Sequence, residues 1–283
     1  MKFLVMIFFF ALSALCLGQE PFQAIRPFAD NAEKVERKDD LVWNKWDTEN
    51  FVVLSLDKSQ GLKLKGLLEK TKDSVSKRWS LGIFKFPTPC KVMCVPSQEL
   101  LSKLFNIDSP HVEIRRDANG NVSLCAIWMT FEDVDYLPFL VSSVCVADGI
   151  CPNKQSWAVQ RGISCLNKPL DQIRVDISDL DSFNSKIFDM TKEKWLVLSS
   201  KDKQKFDSES LVACLLLRKE FGGVAFSKFV SESPDKTSLV KSLYGFKDLD
   251  HFESVLERYA KNLSEDIRKG RTPDSYLMVI SDY

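Results

Sequence analysis

The sequence predicts an α+β fold: a β-rich first part, about residues 43–134, with helices between the strands, then a mainly helical part, about 135–283. Two observations carry this. Short valine-rich and alternating runs bounded by turn residues occupy the first part, and helical spacing of apolar residues dominates from Asp135 onward. Strands with interleaved helices followed by helices are the α+β pattern. There is no internal repeat and no low-complexity tract.

Taken in order, Phe51 to Leu56 reads as a buried strand preceded by Trp43 and Trp46. "GLKLKGLLEKTKDSVSKRW" follows as a helix, with Leu62, Leu64, Leu67, Leu68 and Val75 at helical spacing. "CKVMCVPS" is a second strand, and Ser97 is placed to cap the helix "QELLSKLFNI". "HVEIRRDANGNVSLCAIWMT" reads as a hairpin turning at Asp117–Asn121. The apolar stretch "YLPFLVSSVCVAD" and the segment "QSWAVQRGIS" open the helical part, followed by "PLDQIRVDISDL" and by "TKEKWLVLSS", a short strand or a helix start. "DSESLVACLLLRKEFGGVAFSKFVSE" predicts two helices divided by Gly222-Gly223, the first capped by Asp207 or Ser208. "DLDHFESVLERYAKNLSEDIRK" predicts an amphipathic helix, with Asp250 and Glu253 as a variant capping box.

Residues 1–18 have the composition of a signal peptide: Lys2, an apolar run from Phe3 to Leu17, and small residues at Cys16 and Gly18 before a cleavage point at Gln19. This predicts an exported protein, secreted or periplasmic, with a polar leader over 19–42 and no stable transmembrane segment after cleavage. Removing Lys2 turns 39 basic against 39 acidic residues into 38 against 39. That near-neutral balance gives no basic footprint for nucleic acid. Of the eight cysteines, Cys16 leaves with the signal, so an odd number remain and at least one must stay free or bond to another chain. Cys214, inside an apolar run, is the natural buried thiol. Cys90 and Cys94 are too far apart in a strand to bond each other. With two histidines and no C-x-x-C pair, the usual zinc-ligand spacings are missing, and no cofactor is expected.

The ordered set of "WDTENFVVLS", the helix bearing Glu69, "KVMCVPS", "YLPFLVSSVCVAD", "QSWAVQRGIS" and the closing helices resembles the peptidase MA-like domain of gluzincin metalloproteases across residues 43–283. The resemblance implies a small mixed sheet beside two paired helices. In that family an H-E-x-x-H helix supplies two zinc ligands and a general base, and a glutamate before a glycine on a second helix supplies the third ligand. Here those positions fall on Val141, Ser142, Cys145 and Arg161. Valine has no donor, serine is a poor base, and a fixed cation repels a metal. The resemblance therefore implies a vestigial site with no catalytic and no metal-binding residue. It also implies that a Cys145–Cys165 disulfide, or one using Cys151, replaces the metal as the staple between the helices.

Other chemistries have plainer readings. Cys145 with His111 as its base is a weaker reading than a packed or disulfide-bonded cysteine on an apolar helix. Ser142 and Ser143 have no nucleophile-elbow glycines around them and are expected to bond back to helix carbonyls. Glu132, Asp133 and Asp135 suit a polar approach to a helix better than a glycosidase pair. The expectation is an exported, catalytically inactive metallopeptidase-like protein with a binding or scaffolding role toward an unknown protein or peptide ligand. The alternatives are a hydrolase with a rearranged active site and a secreted α+β protein of an unrelated family.

Overall fold

The computed structural model describes residues 41–79, 81–147, 150, 156–180, 182–183, 187–231, 241 and 244–278. The expected signal peptide (residues 1–18), the expected leader up to residue 40 and Cys151 lie outside the described residues.

Five strands form one sheet: β1 (Asn44–Asp47), β2 (Phe51–Ser55), β3 (Cys90–Val95), β4 (His111–Arg116) and β5 (Val122–Thr130), in the order β1-β2-β3-β5-β4. The three central strands are parallel, and β1 and β4 close the two edges antiparallel. The sheet is thus mixed, and the fold is α+β as the sequence predicts. Strand alternation sorts the side chains onto two faces. Phe51, Val53, Cys90, Val92, Cys94, Cys125, Ile127 and Met129 face the larger core. Leu54, Met93, Val95, Leu124, Ala126 and Trp128 face a smaller one, closed by Trp43 and by Leu101 and Phe105 of helix α2 (Gln98–Phe105). Ser97 caps α2 as expected, its hydroxyl accepting from the Leu100 N–H. The β4–β5 turn is held by Asp117, whose carboxylate accepts from the Asn119 and Asn121 N–H groups.

Helix α1 (Lys58–Arg78) covers the larger face. Its buried residues are Gly61, Leu64, Leu68, Lys72, Val75 and Ser76, a single stripe at spacings of three and four. Leu64 and Leu68 are fully buried, which contributes about 1.5–3 kcal/mol each. Leu62 and Leu67 stand off that stripe and are 59% and 41% exposed, so two of the five apolar positions at helical spacing are on the surface. Glu69 ties α1 to the β1–β2 turn by accepting from Thr48 Oγ1 and from both nitrogens of Asn50.

The helical part contains α3 (Leu137–Cys145), α4 (Trp157–Cys165), α5 (Leu170–Ser178), α6 (Lys192–Leu196), α7 (Ser200–Phe221), α8 (Gly223–Ser231), α9 (Leu249–Arg268) and α10 (Asp274–Leu277). "TKEKWLVLSS" resolves as the helix start α6. Gly222 separates α7 from α8 at φ 88°, a conformation glycine adopts without strain. Two predicted caps are corrected. α7 begins at Ser200, capped by the Ser199 hydroxyl, because Ser200–Lys205 form a polar first turn with no apolar periodicity to reveal it. Asp207 and Ser208 are therefore inside the helix and buried. The cap of α9 is Asp248, which accepts from the His251 N–H, so Asp250 and Glu253 form no box. No helix among the described residues is long and apolar enough to cross a membrane.

Candidate functional site: the α3–α4 pair and its ion pair to α7

The chain leaves β5 at Thr130, where Asp133 accepts from both the backbone N–H and the hydroxyl of Thr130 and turns the chain through a 3-10 segment into α3. Asp133 thus has a structural task at this corner. α3 is apolar on nearly all sides, and a helix of that kind packs inside the protein. It lies between α1 and α4, and Val141, Ser142 and Cys145 are all 0% exposed. The hydroxyls of Ser142 and Ser143 both donate to the Phe139 carbonyl, at 2.8 and 2.9 Å. Ser142 is committed to its own helix.

Cys145 sits against the sheet, beside Cys90 of β3, which in turn neighbours Cys125 of β5. Burial first, then the hydrogen bond with Cys125, pushes the Cys90 thiol well up. His111 cannot serve Cys145 as a base. It is paired with Trp128 across β4–β5, and its ring lies 5.8 Å from that indole on the opposite face of the sheet from Cys145.

Helix α4 is capped by the Ser156 hydroxyl, which accepts from the Val159 N–H. It carries Arg161, whose guanidinium forms a two-pronged ion pair with Asp207 of α7, Nε to Oδ1 at 2.8 Å and Nη2 to Oδ2 at 2.5 Å. The guanidinium also lies 5.0 Å from the Trp195 ring and 5.9 Å from the Trp157 ring, and the two indoles meet edge to face at 5.4 Å. Burial opposes the charged form of Arg161, but the attraction and hydrogen bonds of Asp207 outweigh it and hold the pKa above its ordinary value. One residue on, Gly162 lets α4 meet α7 backbone to side chain. A Cβ there would lie 2.4 Å from both the Ser210 carbonyl oxygen and Cys214 Sγ.

Cys145 and Cys165 are both buried and no disulfide joins them, so the expected staple is not formed in the structure. The reason is orientation. Cys145 is set beside the sheet thiol Cys90, whereas Cys165 shares the face of α4 that carries Arg161 and lies near Asp207 and Lys168. Cys214 is likewise a buried thiol with no disulfide, as its apolar helix predicts.

The four positions that the resemblance assigns to ligands and base do not fit a zinc ion. Val141 offers no donor, the Ser142 hydroxyl is engaged, Cys145 is enclosed with other thiols, and Arg161 is a cation locked to a carboxylate. Among the described residues no three His, Cys, Asp or Glu side chains are grouped to hold a metal. The interaction sequence reasoning missed is the one Asp207 makes, since its partner is 46 residues away. The available signal was an arginine in a largely apolar helix, which demands a carboxylate without saying which one.

The thiols give a pH prediction. Burial pushes Cys94 and Cys165 each up to about 12 from an ordinary 9.0. A raised thiol pKa means the native state keeps a proton that the unfolded state has lost. The resulting stability is complete below about pH 9 and is lost as pH climbs toward 12. Urea unfolding at a series of alkaline pH values is expected to show a steady fall across that window and a plateau below it.

No family model matches this chain, and no curated protein matches it.

Proposed function

We propose that this protein is an exported, catalytically inactive relative of gluzincin peptidases that acts by binding a protein or peptide. One observation carries the reading: the position corresponding to the third zinc ligand is Arg161, closed off by its ion pair with Asp207 and by two indoles. Paired helices α3 and α4 beside a small mixed sheet are the arrangement that such an ancestry calls for. The replaced positions are buried and committed to packing, which removes the base, the ligands and the access that hydrolysis by a bound metal requires.

The test is metal analysis and peptide hydrolysis on protein secreted in zinc-supplemented medium, with mass spectrometry of the mature chain. The expected result is a chain starting at Gln19, zinc far below one per chain, and no hydrolysis sensitive to a chelator or a thiol reagent. One zinc per chain, or chelator-sensitive cleavage, would favour the rearranged hydrolase. A chain retaining Met1 would overturn the export reading.

A further inference from the structure

A groove of about 210 Å³ lies between α1, the start of α3 and the residues after α4, lined by Leu67, Lys70, Thr71, Ser74, Val75, Arg78, Pro138 and Asn167. It is separate from the vestigial positions and does not depend on a peptidase ancestry. Leu67, Lys70, Thr71, Ser74, Val75 and Arg78 follow one another at alternating spacings of three and one residues, so one stripe of α1 builds most of it.

Arg78 is the group that needs explaining. Its Nη1 donates to Asn167 Oδ1 at 3.2 Å, while the Asn167 amide nitrogen donates to the Ile163 carbonyl. Asn167 is thereby fixed and holds the guanidinium in place. Arg78 Nε is shielded from water and has no hydrogen-bond partner. No carboxylate among the described residues pairs with Arg78, and its charged neighbour is Arg218, a like charge. Arg161, more deeply withdrawn from water, shows the contrast: it has Asp207. A guanidinium N–H shielded without a partner is costly, and the groove beside it holds a second cation, Lys70, and two hydroxyls but no carboxylate.

The geometry points to the C-terminal residue of a peptide as the occupant, its carboxylate on Arg78 and Lys70 and an aliphatic side chain against Leu67, Val75 and Pro138. A planar guanidinium matches a carboxylate with two parallel hydrogen bonds. The volume is below the roughly 300–1,000 Å³ of sites for drug-sized ligands, which suits one residue rather than a large molecule. A track for the preceding residues continues along α1. Leu62 and Leu67 are exposed there, and the Cβ position of Gly66 faces open space.

The experiment uses the full mature chain and the peptide Ala-Ala-Ala-Leu as free acid and as C-terminal amide, titrated by calorimetry or by NMR shifts. The free acid is expected to bind at least about tenfold tighter than the amide. Arg78→Met, which keeps the stem and removes the charge, is expected to lose that preference while remaining folded by circular dichroism. Lys70→Met, at an exposed position, is expected to weaken the acid without affecting the fold. Equal binding of acid and amide to the unaltered protein overturns the proposal, and so does absence of binding by either. Undiminished acid binding by Arg78→Met overturns it as well. Isovalerate binding as tightly as the peptide would overturn the peptide source.

Discussion

Gly162→Ala is expected to lower stability by about 1–3 kcal/mol or more, although it adds a single methyl group. The new Cβ would be placed 2.4 Å from the Ser210 carbonyl oxygen and from Cys214 Sγ, and a backbone atom of α7 cannot rotate out of the way. The helices must separate, and α7 is buried along most of its length from Phe206 to Arg218. Gly66→Ala is the control. It lies in the same kind of secondary structure with nothing within 4 Å of its Cβ position, so it is expected to gain about 0.5–1 kcal/mol from helix propensity. Urea midpoints for the two variants should therefore move in opposite directions. A Gly162→Ala protein as stable as the parent would mean that α4 and α7 are not held at this distance.

The second large effect is expected at the ion pair. Asp207→Ala leaves Arg161 charged, enclosed by Trp157 and Trp195 and without its carboxylate, a loss of about 3–5 kcal/mol. Combining Arg161→Met with Asp207→Leu removes both charges and keeps apolar volume, so the double variant is expected to regain most of that loss. The thermodynamic cycle over Arg161→Met, Asp207→Leu and the double variant measures the coupling directly. Additive losses would show that the two side chains do not act as a pair. Binding by the double variant also bears on the proposed function, because a pair that serves only packing can be exchanged for apolar residues without loss of ligand.

Features set by short-range chemistry were readable from the residues. The Ser97 cap, the Asp117–Asn121 turn, the break at Gly222 and the back-bonding of Ser142 and Ser143 all depend on neighbours a few positions away. Periodicity was less exact. It marked α1 correctly, but five apolar residues at helical spacing do not reveal which stripe meets the sheet, and Leu62 and Leu67 stand off it. The start of α7 was hidden by a polar first turn, and that error made Asp207 look like a cap rather than the counter-ion of a distant arginine. At the candidate site the sequence shows directly that no H-E-x-x-H pattern is present, because that needs no tertiary structure. Which way Cys145 and Cys165 turn could not, since that depends on the rotation of α3 and α4 against the sheet and α7.

The buried thiols also make the molecule its own record of motion. They lie on five elements: Cys90 and Cys94 on β3, Cys125 on β5, Cys145 on α3, Cys165 on α4 and Cys214 on α7. None meets solvent in the closed state, so an alkylating reagent reaches each sulfur only when its own layer opens. The labelling rate at each cysteine then reports the free energy of that opening. A common rate would mean the sheet and the helices part together; a faster rate at Cys165 and Cys214 would mean that the α4–α7 layer lifts first. In a compartment that oxidises thiols, the same openings, rather than any chemistry of the closed fold, would set how long the chain survives.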